Sequence, residues 1–352
     1  MITIVIPALN EENAIKQTIE AVRSVLSSAA IEHEILVIDD GSTDKTYEAA
    51  AATGATVIRH PHNAGYGRSL KAGICAAKYD TIGIIDADLT YPEWALPQLY
   101  AEFSRGFDMV VGARTGENYL ESMLKRPLRA ILQWLVEFTA GRPVPDVNSG
   151  LRIFRRSTII SHLDHLCDTF SFTTSATLAY MMTGRFVLYV PIEYKSRVGT
   201  TKVRLFRDSL RTLQYIVQSI NYYNPLKLFL VMSLLTVALS LPILIVWSLT
   251  QWTPLLLLGV GEILVSTIIL GLGLVADMLR QSRLGTNAGA VGSKEQALEE
   301  ARLKYLPDNF RAVQMNVSLM APEFVQAQED RKASSSQFVA APQHFSPSPT
   351  RS

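Results

Sequence analysis

Asp86-Ala87-Asp88 follows the apolar run 81–85 and is the part of this chain best suited to do chemistry. Two carboxylates one residue apart, at the open end of a buried strand, can grip a hard divalent cation from one side. The remaining coordination positions stay available to phosphate oxygens. Acidic pairs at strand ends are also ordinary turn residues, so the pair alone decides little. A second acidic cluster, Asp39-Asp40-Gly41-Ser42-Thr43-Asp44, follows another apolar run at 34–38. Ligands of open α/β sheets bind outside the carboxyl ends of strands. Two acidic clusters at two such ends point to one nucleotide-diphosphate site. Other candidates are weaker. His60-Pro61-His62 runs into Asn63-Ala64-Gly65-Tyr66-Gly67 and reads as a loop against the nucleotide rather than a metal pair. His162 and His165 share a helical face but lack the cysteine or carboxylate company of a zinc site. Gly65-Tyr66-Gly67 lacks the glycine spacing of a dinucleotide fold.

The elements that must position these residues alternate in type. Runs at 3–6, 34–38, 56–58, 81–85, 108–111, 151–154 and 186–190 predict strands, and 11–27, 44–52, 67–77 and 94–105 predict helices, with Asn10 as an N-cap. This is the pattern of an α/β domain with a mixed, mostly parallel sheet. The chain has 352 residues and a net charge of +1, which gives no electrostatic case for a nucleic-acid partner. Cys75 and Cys167 form no disulfide framework and read as intracellular thiols. No secretory signal is expected, because Met1-Ile2-Thr3-Ile4-Val5-Ile6-Pro7 reads as the first strand.

Residues 228–249 carry no charge, and 254–276 carry only Glu262. Each is long enough to cross a hydrocarbon core of about 30 Å, and the four residues 250–253 between them force a hairpin. Arg204, Arg207, Arg211 and Lys227 precede it and Arg280 and Arg283 follow, so both ends are expected in the cytoplasm, with Trp247 and Trp252 at the far interface. Phe206, Leu210, Leu213, Val217 and Ile220 mark one face of an amphipathic helix ahead of the hairpin, expected to lie among lipid headgroups. Leu128, Ile131, Leu132 and Leu135, beside Lys125, Arg126 and Arg129, fit either a weaker interfacial helix or a core-facing one. Glu262 and the small residues Gly259, Gly261, Ser266, Gly271 and Gly273 suggest a homo-oligomer through the membrane helices. Beyond Arg283 the chain is polar; 294–305 predicts a helix, and 334–336 and 346–349 read as disordered. The expected organisation is a catalytic domain at 1–202, an interfacial helix at 203–225, a transmembrane hairpin at 226–278 and a cytoplasmic tail at 279–352.

Pro7-Ala8-Leu9-Asn10-Glu11-Glu12, Asp39-Asp40-Gly41-Ser42, Asp86-Ala87-Asp88 and Gly112-Ala113-Arg114 together resemble the family 2 glycosyltransferases of GT-A fold. Asp146-Val147-Asn148-Ser149-Gly150-Leu151-Arg152 and Arg197-Val198-Gly199-Thr200-Thr201-Lys202 narrow the resemblance to the dolichyl-phosphate mannose synthase and polyprenyl-phosphate glycosyltransferase branch. The resemblance implies that Pro7, Leu9, Glu11, Val37, Asp39, Asp86, Ala87 and Asp88 bind the donor nucleotide sugar. It implies Mg²⁺ or Mn²⁺ on Asp86 and Asp88, with Thr90 where many relatives carry Gln. Arg114, Arg129 and Ser149 would meet the acceptor phosphate, and Arg197 and Lys202 belong to a loop that closes over the donor. Guanidinium forks suit phosphate oxygens.

A phosphate monoester, with a second pKa of about 6, is largely ionised at neutral pH. Its attack on an anomeric carbon therefore needs positioning and charge neutralisation more than a base. The expected activity is a single inverting, metal-dependent transfer of a hexose from a GDP- or UDP-sugar to undecaprenyl or dolichyl phosphate, with Asp146 no more than an orienting residue. A processive polysaccharide synthase is the first rival, disfavoured because no Gln-x-x-Arg-Trp motif occurs. A non-catalytic nucleotide-sugar scaffold is the second.

Overall fold

The computed structural model describes residues 1–115, 126–195, 205–289, 294–307 and 310. Its centre is a seven-stranded sheet of β1 (Ile2–Ala8), β2 (His33–Asp39), β3 (Thr56–Arg59), β4 (Thr81–Ile84), β5 (Met109–Thr115), β6 (Arg152–Arg155) and β7 (Val187–Glu193). The spatial order is β3-β2-β1-β4-β6-β5-β7. β6 runs antiparallel to β4 and β5, while the other neighbours pair in parallel. Every residue of β1 is buried, as expected for a strand covered on both faces. In α1 (Ile15–Ser28), Ile15, Thr18, Ile19, Val22 and Leu26 form the buried stripe, at the three-to-four spacing that lays one helix face on a sheet.

α2 (Thr46–Ala51), α3 (Tyr66–Ala76) and α4 (Leu96–Ser104) follow β2, β3 and β4. α5 (Arg126–Ala140), the single turn α6 (Arg156–Ile159), the 3₁₀ turn Ile160–His165 and α7 (Phe172–Met182) lie between β5 and β7. All seven predicted strands are present. The predicted N-cap is corrected: α1 begins at Ile15, and Asn10 adopts a positive φ of 51°. Asn10 accepts from the Thr43 amide (2.8 Å), and its own N–H donates to Ser42 Oγ (2.9 Å). Its polar groups join the next strand's loop instead of opening a helix, a competition open to any Asn at a strand end.

α8 (Leu205–Tyr223) leads into α9 (Pro225–Thr250) and α10 (Thr253–Gly289), and both of these are long and apolar enough to cross a membrane. The expected apolar stripe of α8 divides along its length. Ile216 and Ile220 pack with Leu178, Met181 and Val136, whereas Leu210 and Leu213 remain exposed. α5 fits both of its readings, because Val136 faces that cluster while Ile131 and Trp134 face outward. Within the hairpin, Ser233 and Ser266 share a 2.7 Å hydroxyl bond. A side chain at Gly259 would strike Leu244, and one at Gly273 would strike Phe229. These small residues therefore serve contact between α9 and α10 of one chain. α11 (Lys294–Tyr305) packs back on α3, so this part of the expected tail is an ordered addition to the sheet domain.

Candidate active site

The strand order reverses between β1 and β4, where connections depart to opposite sides and leave a crevice at the carboxyl edge. Ala8 pairs with Asp39 there, and Val5 pairs with Ile84, so Asp39 and Asp86 emerge on either side of the end of β1. Because β6 runs the opposite way, its preceding segment, Asp146–Leu151, returns to this same edge. Glu11 donates its amide to Thr46 Oγ1 (2.8 Å), Glu12 donates to Asp44 Oδ2 (3.3 Å), and Lys45 donates to Glu12 Oε2 (3.0 Å). These bonds knit the loops after β1 and β2 into one rim.

Both carboxylates of the acidic pair are held. The Tyr66 hydroxyl donates to Asp86 Oδ1 at 2.9 Å. Gly150 packs against the same carboxylate: a Cβ there would lie 2.6 Å from Asp86 Oδ2 and 2.9 Å from Oδ1, so a larger residue would displace it. Asp88 is buried, and its Oδ1 accepts from the Thr90 hydroxyl (2.6 Å) and the Thr90 amide (3.2 Å). Leu89 between them has a φ of 61°, which folds Thr90 back onto Asp88. Thr90 is itself fully buried with its proton committed to Asp88, so it acts here as a brace for that carboxylate. No group of three or more His, Cys, Asp or Glu side chains that could hold a metal occurs among the described residues. Two oxygen donors on one side fit a hard divalent ion completed by diphosphate oxygens and water.

Asp39 is fully buried and accepts from the Ser42 amide on Oδ1 (2.9 Å). Its Oδ2 lies 3.1 Å from Arg59 Nε, close enough for an ion pair but misaligned for a hydrogen bond. Asp40 holds the 60–65 loop, accepting from His60 Nδ1 (2.8 Å) and from the amides of Ala64 and Gly65 (2.9 Å each). Burial pushes its pKa up, and these hydrogen bonds, with the His60 charge, more than reverse that, leaving it lowered.

Arg114 forks onto Asp146, with Nε to Oδ2 and Nη2 to Oδ1 both at 2.8 Å, and its amide donates to Oδ2 at 3.0 Å. Its guanidinium also lies 5.4 Å from the centre of the Tyr194 ring. Asp146 is thus the residue that orients Arg114. Ser149, expected at the acceptor phosphate, is fully buried and donates its hydroxyl to the Gly112 carbonyl (2.5 Å). In this arrangement it ties β5 to the segment before β6. Val37 and Pro7 are buried within their strands, and Ala87 is buried with its carbonyl accepting from Thr18 Oγ1 (2.9 Å). Leu9 and Glu11 are half-buried on the rim. Arg197 and Lys202 lie outside the described residues, as does the side chain of Arg129 on α5.

Three residues behind the site were missed as individuals. Arg152 is completely buried and donates to the Ser149 carbonyl through Nε (3.1 Å) and Nη2 (2.6 Å), and through Nη1 to the Thr173 carbonyl (3.2 Å). Burial lowers its pKa. The Tyr91 hydroxyl accepts from the Gly150 amide at 2.6 Å, and its ring meets Tyr194 edge-on. Tyr66 is the third. Arg152 closes a quoted motif and Tyr91 follows Thr90, but neither has a spacing that announces its partner.

The model of the glycosyl transferase family 2 matches residues 3–163. An undecaprenyl-phosphate 4-deoxy-4-formamido-L-arabinose transferase of Klebsiella pneumoniae is 29% identical over 235 residues, covering 64% of this chain and 69% of that protein. An uncharacterized glycosyltransferase of Mycobacterium tuberculosis is 33% identical over 160 residues, covering 45% of this chain and 69% of its own length. Glucosyl-3-phosphoglycerate synthase from Mycobacterium tuberculosis, solved with uridine diphosphate, shares the fold with a TM-score of 0.51 at 23% identity, covering 62% of this chain and 79% of that one. The same enzyme solved with Mg²⁺ and uridine diphosphate gives a TM-score of 0.50 with the same coverage.

Proposed function

Because the chain belongs to glycosyl transferase family 2, with a GT-A fold and a glycosyltransferase activity, we propose that its reaction moves one hexose from a GDP- or UDP-sugar onto a polyprenyl phosphate at the cytoplasmic face of a membrane. The observation that carries this reading is the braced pair Asp86 and Asp88 at the switch point, on a domain continuous with two apolar helices. The undecaprenyl-phosphate sugar transferase among its relatives supports the lipid acceptor.

Asp86 and Asp88 would hold Mg²⁺ or Mn²⁺, whose charge, when bound, offsets the negative charge that gathers on the departing diphosphate. Asp39, beside Arg59, lies at the end of β2 where the donor's nucleoside would rest. Arg114, aimed by Asp146 and covered by Tyr194, supplies fixed positive charge toward the acceptor phosphate. Arg129, Arg197 and Lys202 are proposed as further cationic contacts. The acceptor oxygen arrives ionised, so the chain needs no base; attack opposite the leaving diphosphate inverts the anomeric centre. In this reading 1–202 is catalytic, 203–225 is interfacial and 226–278 crosses the membrane as a hairpin with both ends cytoplasmic. That arrangement holds the site at the depth of lipid phosphates.

The test is a panel of labelled GDP- and UDP-sugars with undecaprenyl or dolichyl phosphate, with and without EDTA. The expected product is a single-sugar lipid phosphate, lost on chelation and lost in Asp88→Asn. Polymeric product, or nucleotide-sugar binding without turnover across the panel, overturns the proposal.

A further inference from the structure

Gly65-Tyr66-Gly67 reads from the sequence as part of a loop against the nucleotide, yet its central side chain touches the acidic pair. We infer that Tyr66 is a positioning residue that sets Asp86 for the divalent ion. This inference rests on the metal reading given above. The Tyr66 hydroxyl reaches Asp86 Oδ1 at 2.9 Å. Three constraints fix the ring. Gly65, at a φ of 109°, and Gly67 press so closely on the backbone of Cys167 and Asp168 that a Cβ would sit 2.6 Å from the Asp168 carbonyl and 2.2 Å from the Cys167 carbonyl. Asp40 accepts from the amides of Ala64 and Gly65, which pins the chain entering α3. The ring itself stacks on Phe170, with centroids 5.6 Å apart and planes 19° from parallel.

A tyrosine so held offers its proton in one direction. The Gly150 backbone lies close against the same carboxylate, so Asp86 is confined by a hydroxyl donor and by a close backbone approach. A ligand oxygen that need not be frozen when the ion arrives gives tighter binding, and outer partners of this kind typically change metal affinity by about 10- to 100-fold. Both hydroxyl braces, Tyr66 on Asp86 and Thr90 on Asp88, come from outside the acidic motif. The two glycines thus serve the metal end of the site through backbone packing against 167–168, not by cradling phosphate.

The experiment uses the full chain in nanodiscs and titrates Mn²⁺ in the presence of UDP and, separately, GDP. Bound Mn²⁺ is read from loss of the free-ion EPR signal. Tyr66→Phe keeps the ring and its stack on Phe170 while removing the hydroxyl. It should weaken Mn²⁺ binding by about tenfold or more and raise the Mn²⁺ concentration for half-maximal transfer by the same factor. Phe170→Leu, which disturbs the stack but keeps the hydroxyl, should weaken binding less. Equal or tighter Mn²⁺ binding by Tyr66→Phe, with an unchanged melting temperature, overturns the positioning role while leaving the metal reading intact. Absence of Mn²⁺ binding by the wild type, with Asp86→Asn no different, overturns both.

Discussion

Removing the side chain of Tyr305 should release α11 from the catalytic domain without unfolding that domain. Tyr305 is 3% exposed, and its hydroxyl donates to Asp164 Oδ1 at 2.7 Å. Its ring has Arg68 at 4.6 Å and Lys71 at 5.1 Å. Asp164 lies at the surface, so its bond with the hydroxyl contributes only about 1 kcal/mol, and Tyr305→Phe should raise the opening of α11 roughly fivefold. Tyr305→Ala also deletes the buried ring and its contacts with Arg68, Lys71 and Lys304, a loss of about 3–4 kcal/mol. At about 1.4 kcal/mol per decade, that corresponds to an increase in opening on the order of 10²- to 10³-fold. Hydrogen exchange read by mass spectrometry on the 294–305 peptide of the full chain measures this directly. Lys304 Nζ to Asp164 (2.7 Å), Arg302 Nε to the Cys75 carbonyl (3.2 Å), the Arg68 bond to the Lys304 carbonyl and the buried Ala301 persist in both variants, so the difference between the two variants isolates the ring. Unchanged protection of α11 in Tyr305→Ala would refute the idea that this ring is the anchor.

Two further predictions concern buried polar groups. Arg152→Met leaves the Ser149 and Thr173 carbonyls without these donors, at about 1–3 kcal/mol for each, and should lower the melting temperature by several degrees; an equal or higher value contradicts the bracing role. Burial depresses the pKa of His162 below its ordinary 6.5, with the His165 and Arg185 charges adding to the effect. The unfolded chain then takes up the proton first, so this group removes stability as pH falls below 6.5 and contributes nothing above it. His162→Gln should flatten the decline in melting temperature between that pH and the lower folded value, and an unaltered slope in thermal scans from pH 7 to 5 would count against it.

What could be read in the sequence is what repeats locally. The strands announced themselves as short apolar or β-branched runs, the central ones buried on both faces, and Asp39, Asp86 and Asp88 could be placed because they close such runs. Asn10 fits an N-cap by residue type, and only the loop after β2, with Ser42 and Thr43 within reach, shows why it does something else. Tyr66 is harder still, since its role depends on Cys167, Asp168 and Phe170, which no periodicity links to it. α11 was legible as a helix but not as a docked one, because Arg68 and Lys304 meet across 236 residues. These long-range contacts converge on one turn. Lys71, Lys304 and Tyr305 reach the segment 164–168, while Tyr222 and Tyr223, at the end of α8, meet His165 and His162. The segments on either side of the apolar hairpin are therefore fastened to the same short stretch, and that stretch abuts the two glycines that fix Tyr66. A helix after the hairpin and Tyr66 before it share one support. Loosening the 160–168 turn should consequently disturb α11 protection and Mn²⁺ affinity together.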